Sequence, residues 1–253
     1  MKIREELKAG LIRKISLAYH KVCRWIPDGI NNRRLMRILD MLRFMQRPLG
    51  RRFNRHESEN AAAFVNHEKA IRKNNGYIED QNRYTDLAFG KKTMQFSGCE
   101  IFAVYNALTS LADGHGTSLA RLISTFERDG MILSGLLGTA PSALRDYFKK
   151  RGYRTEFVTD EEDFDRVAGA HDTLILVIYN DAGDAAQAVH TVNVSKNRGL
   201  YSAHNVYCNG LRIGPFPTVK ELISNINRGR ARGIAALGIS RPLKDHKSQD
   251  SNV

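Results

Sequence analysis

The sequence predicts an α+β fold in which a largely helical first part is followed by an antiparallel sheet. Apolar residues recur at helical spacing in several stretches before residue 152, and strand patterns become frequent after residue 153. Residues 173–179, TLILVIY, form a continuous apolar run, which is typical of a central strand buried on both faces. Residues 188–195 and 200–207 alternate in polarity on either side of a polar turn, which indicates an antiparallel hairpin.

Composition indicates an ordinary globular protein with one sizeable core. The chain has 253 residues, of which 42% are hydrophobic and 26% are charged. Its three cysteines, Cys23, Cys99 and Cys208, are too widely spaced for a disulfide framework or a zinc site, so we expect a reducing compartment and no metal or other cofactor. The sequence contains neither an apolar run of about 18 residues nor a signal-peptide core. We therefore expect a cytoplasmic protein, either free or peripheral to a membrane.

The net charge of +12 is concentrated at the N-terminal end. Residues 1–92 hold 21 Lys or Arg against 10 Asp or Glu, whereas the remaining residues are almost neutral, with 18 against 17. A segment this basic favours a membrane surface or an acidic partner, which we assign to residues 1–56. The segment contains no recognised nucleic-acid-binding motif, so nucleic acid is not an expected partner.

The sequence suggests four regions along the chain. They are a basic helical segment (1–60), a linker or wrapping segment (61–92), the main domain (93–240) and a disordered tail (241–253). Within the first region, apolar stripes predict helices over residues 2–26 and from Asn32 to Gln46, ended by Pro27 and Pro48. These helices could form a membrane-binding or partner-binding hairpin, but packing of both stripes on the main domain is the favoured interpretation.

Local signals place the remaining elements in order. A helix over 61–72 precedes a turn at 74–76, and the glycine-punctuated loop 130–138 is expected to line a cleft. Thr159 and Glu162 form a capping box for a short helix. One further helix is predicted to begin at residue 117 or 118, and two more cover 139–151 and 218–226. The other predicted strands cover 154–158, 211–213 and 234–239.

The stretch 95–111, QFSGCEIFAVYNALTSL, contains the strongest chemical signal. Cys99 follows a Ser-Gly turn and opens an apolar helix, so its thiol is expected at a helix N-terminus facing a cleft. The helix dipole and the unpaired amides of the first turn would favour the thiolate, which is the nucleophilic form. A buried and inert cysteine is the competing interpretation.

The hairpin suggests a partner for this cysteine. If the turn is centred between Asn197 and Arg198, His190 lies directly opposite Asn205 on the same face of the sheet. The Asn205 amide could then orient the His190 imidazole. The alternatives are a core histidine that is satisfied by local hydrogen bonds and a rival base, His204, on the opposite face from Asn205.

The order Gln95, Cys99, His190 and Asn205, with the cysteine on a helix and His190 and Asn205 on adjacent antiparallel strands, resembles papain-fold cysteine peptidases. The Gly-Cys-Glu motif at residues 98–100 resembles their bacteriocin-processing, leader-peptidase-like branch in bacteria. The resemblance covers residues 93–240 and implies a papain-like fold, with the nucleophile helix packed on an antiparallel sheet. It also implies that Cys99 is the nucleophile, His190 the base, Asn205 the orienting residue and Gln95 an oxyanion donor.

These observations lead to thiol-dependent hydrolysis of a peptide or isopeptide bond as the expected function, with a peptide or protein as substrate. Acyl transfer or cell-wall amide hydrolysis would use the same chemistry. The non-enzymatic alternative is a catalytically silent papain-like binding or immunity module that the basic helices recruit to a membrane or partner. Residues 1–60 could also act as a helical pro-segment that covers the cleft.

Overall fold

The computed structural model describes residues 32–46, 56–113, 117–180, 189–206 and 212–242. Its helices are α1 (Asn32–Gln46), α2 (Glu57–Phe64), α3 (Glu68–Lys73), α4 (Met94–Ser97), α5 (Cys99–Ser110), α6 (Leu119–Asp129), α7 (Pro141–Lys149), α8 (Phe164–Ala170) and α9 (Val219–Asn225). Its strands are β1 (Ala88–Phe89), β2 (Lys92–Thr93), β3 (Arg154–Val158), β4 (Thr173–Tyr179), β5 (Val189–Asn197), β6 (Leu200–His204), β7 (Ile213–Phe216) and β8 (Arg232–Ser240). This combination of helices and antiparallel strands confirms the predicted α+β class.

Strands β3 to β8 form one antiparallel sheet in the order β3-β8-β4-β5-β6-β7. All seven residues of β4 are buried, which confirms the prediction of a central strand from TLILVIY. The last strand in the sequence, β8, lies between β3 and β4, so it joins the sheet in its interior. Helices cover both faces of β4, and this explains why its sequence shows no polar alternation.

The register of the β5–β6 hairpin differs from the predicted one. Asn197 pairs with Leu200, so the two turn residues are Arg198 and Gly199, with φ angles of 51° and 79°. Two consecutive positive φ angles are typical of a tight hairpin turn, and glycine adopts the second without steric cost. Asn193 therefore pairs with His204, and the predicted pairing of His190 with Asn205 is wrong.

Two layers of helices enclose the sheet. On one face, α5, α6 and α7 pack against Ile175 of β4 and against Leu237 and Ile239 of β8. On the other face, α8 and α9 cover side chains such as Leu176 and Val192. Because neighbouring residues of a strand point to opposite faces, this division assigns each β5 side chain to one of the two layers.

Helix α1 has the predicted bounds and packs on the main fold, as the favoured interpretation expects. Four of its apolar side chains, Leu35, Met36, Leu39 and Leu42, are buried against the sheet and the segment after α6. Arg43 is also buried, and it donates to the Asp129 carbonyl, to Ser142 and to Asp146 at 2.7–3.0 Å. The predicted helix over residues 2–26 lies outside the described residues. None of the helices in the described ranges has the length and apolar character needed to cross a membrane.

Residues 56–93, which we call the strap, wrap around helix α5 and contribute to its core. Ile78, Tyr84, Leu87 and Phe89 are buried among α5 side chains. The Asn106 amide of α5 is fully buried; it accepts from the Ile78 N–H and donates to the Ile78 carbonyl, both at 2.8 Å. One side chain therefore pairs both backbone groups of a strap that has no regular partner strand there.

One predicted cap is displaced by a residue. Asp160, not Thr159, precedes the turn at Glu161–Asp163 and accepts a hydrogen bond from the Glu162 N–H at 3.3 Å. Ser118, one of the two positions at which the sequence predicts a helix to begin, caps α6, and Thr218, the first residue of a predicted helix, caps α9. Residues 243–253 of the predicted tail lie outside the described residues.

Replacing Asn106 should destabilise the protein strongly, because both backbone groups of Ile78 would remain buried without partners. We expect N106A to lower the free energy of unfolding by about 2–4 kcal/mol, measured by urea denaturation. The exposed Asn82 provides the control, and N82A should change stability by less than about 0.5 kcal/mol. Equal effects of the two substitutions would contradict this role for Asn106.

Candidate functional site

Cys99 is the first residue of α5 and is only 9% exposed. The residue before it, Gly98, packs closely against Met94. A Cβ at residue 98 would lie 2.5 Å from the Met94 carbonyl oxygen and 2.6 Å from the Met94 methyl group, so a larger residue would clash there. The glycine of the Gly-Cys-Glu motif is therefore required by close packing between α4 and α5. The prediction that Cys99 begins a buried helix beside a cleft is confirmed.

The cleft beside Cys99 is small, with a cavity volume of about 70 Å³. Polar side chains occupy one part of its wall: Ser97, Cys99, Glu100, Thr139 and Thr191. The rest of the lining is mainly apolar and comes from α1, α4, the 136–144 segment and the sheet: Leu39, Phe96, Leu136, Leu137, Pro141, Leu144, Val177 and Val189. The loop that the sequence expects at a cleft does contribute to this wall. Such a surface suits an apolar group attached to a polar reacting centre.

Glu100 places a carboxyl group inside this cleft. The residue as a whole is half-buried, but its Oε2 is shielded from solvent and has no hydrogen-bond partner among the described residues. The Cys99 thiol and the backbone N–H groups of Glu100 and Thr139 lie near its carboxyl and act to lower its pKa. Burial nevertheless raises its pKa from 4.5 to about 7.

Gly138 forms the opposite wall of the carboxyl pocket. Its φ of +65° lies in the left-handed region, and a Cβ there would lie 2.7 Å and 2.8 Å from the two Glu100 oxygens. Both the backbone conformation and the available space therefore require glycine at this position. The glycine-rich loop thus shields Glu100 from solvent, and this shielding is the physical cause of its raised pKa.

The Cys99 thiol lies beside Thr191 of β5 as well as Glu100. The backbone N–H and the hydroxyl of Thr191 are both near Sγ. Burial raises the pKa of the thiol well above its usual value, and the neighbouring Glu100 carboxyl raises it further, while the two Thr191 donors lower it. The expectation of a thiolate favoured by the helix dipole is therefore wrong for this structure, because desolvation and a neighbouring carboxyl outweigh the dipole.

His190 is next to Thr191 in β5, but its side chain lies on the opposite face of the sheet. The strand pairs continuously with β4 from Val189 to Ser195, so its side chains alternate without a bulge. Val189 and Thr191 line the cleft, whereas His190 does not. Burial lowers the pKa of its imidazole to about 4, and its Nε2 donates to the Asn205 carbonyl oxygen at 2.5 Å. The structure therefore does not bring the predicted base to the Cys99 thiol.

Asn205 contacts His190 through its backbone and not through its amide. The side chain accepts from the Gln81 N–H at 2.9 Å and donates to the Gln81 side-chain oxygen at 3.1 Å. Its φ of 63° is left-handed, as asparagine tolerates at the end of a strand. The expected orientation of the imidazole by the Asn205 amide is thus replaced by a backbone contact.

Gln95, the predicted oxyanion donor, is exposed and does not line the cleft. Its backbone carbonyl accepts a hydrogen bond from the Gln81 side chain at 2.8 Å, which ties the start of α4 to the strap. Of the four residues singled out from the sequence, Cys99 alone therefore lies in the cleft.

Two groups in the cleft, Glu100 and Thr191, are not among the site residues that the sequence predicts. For Glu100 the available signal is the expected cleft-lining loop, which could cover a carboxyl next to Cys99. For Thr191 the signal is strand alternation, which places it on the face opposite His190. The face of β5 that packs on the α5 helix then identifies Thr191 as the neighbour of Cys99.

Within the described residues, no group of three or more His, Cys, Asp and Glu side chains is arranged to hold a metal ion. Comparison of the chain with protein-family models, curated proteins and solved structures found no match. The function must therefore be inferred from the residues of the cleft.

The buried Glu100 should make stability depend on pH in a defined direction. Its pKa is raised from 4.5 to about 7 in the folded protein, so its contribution to stability is fully present below pH 4.5 and is lost as the pH rises through 7. Between pH 5 and pH 8 the wild type should therefore lose about 2–3 kcal/mol relative to E100Q.

Urea denaturation of wild type, E100Q and E162Q at several pH values measures this difference. Glu162 is an exposed glutamate, so E162Q should follow the wild-type profile. Parallel profiles for wild type and E100Q would show that the Glu100 carboxyl is not held in a protonated state by the fold.

Proposed function

We propose that the protein is a thiol hydrolase in which Cys99 attacks the carbonyl carbon of a peptide or isopeptide bond held in the cleft. The observation that carries the proposal is the position of Cys99 beside the shielded Glu100 carboxyl, both on the wall of a largely apolar cleft. A general base acts best when its pKa is close to the working pH, and the Glu100 pKa of about 7 meets that condition.

The proposed reaction has two steps. In the first, the Sγ–carbon bond forms as the thiol proton passes to the Glu100 carboxylate, and the carbon–nitrogen bond then breaks as this proton passes to the leaving amine. In the second, a water molecule gives a proton to Glu100 and attacks the thioester, which releases the acid and restores the thiol. The backbone N–H and the hydroxyl of Thr191 support the first step because they lie near Sγ and favour loss of its proton.

The lining of the cleft supports a substrate with an apolar side chain next to the reacting bond. Leu136, Leu137 and Leu144 lie on one wall and Val177 and Val189 on the sheet, with no charged side chain other than Glu100 among the lining residues. A cysteine at the N-terminus of a helix that precedes an antiparallel sheet also fits the papain-like arrangement suggested by the sequence. In this proposal, however, Glu100 takes the role assigned there to His190.

A second candidate function has its own support. Burial raises the Cys99 pKa, and His190 faces away from the cleft, as a catalytically silent papain-like binding module would allow. Helix α1 also exposes Arg34 and Arg37 next to Ile38 and Met41, a combination suited to a membrane surface. In that case the cleft would bind a peptide without cleaving it.

Kinetics of three variants separate these possibilities. With fluorogenic peptides that carry an apolar residue before the scissile bond, C99A should abolish turnover and E100Q should lower kcat about 100-fold or more. H190A should leave the rate within about threefold of wild type, because its side chain is not in contact with the thiol. The wild-type rate should rise with pH through about 7 as Glu100 loses its proton.

A peptidyl vinyl sulfone, located by mass spectrometry, tests the thiol when no peptide in the panel is cleaved. Labelling at Cys99 that E100Q weakens supports the proposal. Abolished turnover in H190A, together with unchanged turnover in E100Q, would identify His190 as the general base and would contradict the role of Glu100. A folded protein that neither cleaves peptides nor accepts the label at Cys99 would favour the binding module.

A further inference from the structure

A second cluster of chemically active side chains lies outside the Cys99 cleft, and we name it the Ser195 cluster: Ser195, His204 and Glu79. The Ser195 hydroxyl lies 2.8 Å from His204 Nε2, and His204 Nδ1 lies 2.7 Å from Glu79 Oε1. Ser195 belongs to β5, His204 to β6 and Glu79 to the strap before the Gln81–Arg83 turn. The two strands of one hairpin and a distant segment before them thus place a hydroxyl, an imidazole and a carboxyl in one line of hydrogen bonds.

The hydrogen bonds give each member a defined role. Glu79 accepts at both oxygens, from His204 Nδ1 and from the Asn205 N–H at 3.2 Å. With Nδ1 as the donor, a neutral imidazole keeps its lone pair on Nε2, where it can accept the Ser195 hydroxyl proton. Among the described residues, the other hydrogen bond of the Ser195 hydroxyl, to the Ser202 carbonyl, is long at 3.4 Å. This is the proton arrangement of a serine nucleophile with its base and orienting carboxylate.

The imidazole is held rigidly in this orientation. The Tyr77 ring stacks on His204 with centroids 3.8 Å apart and planes inclined by 4°. His204 is 1% exposed and Glu79 is 7% exposed, so their hydrogen bond is protected from competing water. A preorganised base of this kind needs no rearrangement before it accepts a proton.

Ser195 differs from its two partners because it is partly exposed. It lies near the hairpin end of β5, where the following residues 197–200 are exposed. It is also separate from the proposed thiol site: Thr191 lies four residues earlier in β5, roughly 13 Å away along an extended strand, and Ser195 does not line the cleft. Ser195 is therefore partly open to solvent at a point outside the cleft.

We propose that Ser195 is an activated serine that accepts the acyl group of a small carboxylic ester. The Oγ–carbon bond forms as the hydroxyl proton passes to His204 Nε2, and the ester carbon–oxygen bond breaks as that proton passes to the leaving alcohol. Water then attacks the acyl-serine, gives its proton to His204, and releases the acid and the free hydroxyl. An ester is the expected class because an alcohol leaves more readily than an amine, so less stabilisation of the intermediate is required.

A fluorophosphonate probe tests this proposal directly, because it forms a covalent bond with activated serines and not with ordinary ones. The full-length protein should be labelled, and mass spectrometry should place the label on Ser195. S195A should abolish labelling, and E79Q should slow it about 100-fold or more, because the orienting carboxylate is lost. C99A should be labelled at the wild-type rate, which separates this site from the proposed thiol chemistry.

Ser202 provides the matched control, because it lies directly opposite Ser195 on the neighbouring strand without contacting His204 through its hydroxyl. S202A should keep wild-type labelling and a wild-type burst with 4-nitrophenyl acetate, and S195A should lose both. A folded wild-type protein that accepts no fluorophosphonate would overturn the proposal. Labelling that survives in S195A, or that E79Q leaves unchanged, would overturn it as well.

Discussion

The packing of α5 on the sheet is the constraint from which the rest of the site follows. The helix carries Cys99 at its first residue and is anchored at its last by the hydrogen bond from Ser110 to Asn193 of β5. Asn193 and Thr191 share one face of β5, so a helix that packs there meets Thr191 and not His190. The identity of the residue next to the thiol is therefore decided by strand alternation before any catalytic chemistry is considered.

Burial decides the electrostatics of the cleft in the same way. The Cys99 thiol and the Glu100 carboxyl lie together in a space closed by Gly138, and desolvation raises the pKa of both groups. The carboxyl reaches a pKa of about 7 and so becomes able to exchange protons near neutrality, whereas the thiol stays protonated until a base removes its proton. The site is thus suited to proton transfer during reaction more than to a standing thiolate.

Elements with strong local signals could be predicted from the sequence, and their spatial pairing could not. Helix α1 and strands β3 and β4 have the predicted bounds, because amphipathic spacing and apolar runs are read locally. The predicted hairpin register differs from the observed one because Asn197 resembles a turn residue but pairs with Leu200 in the strand. The turn begins at Arg198, which adopts the positive φ. The shielding of Glu100 depends on a loop 38 residues away, and no local pattern reports such a contact.

Disulfide trapping tests most directly whether Thr191 and not His190 faces Cys99. In a chain carrying C23S and C208S, the T191C variant should form a disulfide with Cys99 under mild oxidation, because the side chain at 191 contacts the thiol. H190C in the same background should keep two free thiols, as counted by mass spectrometry of the unreduced protein. A disulfide in H190C and none in T191C would contradict the account and would place the imidazole at the nucleophile.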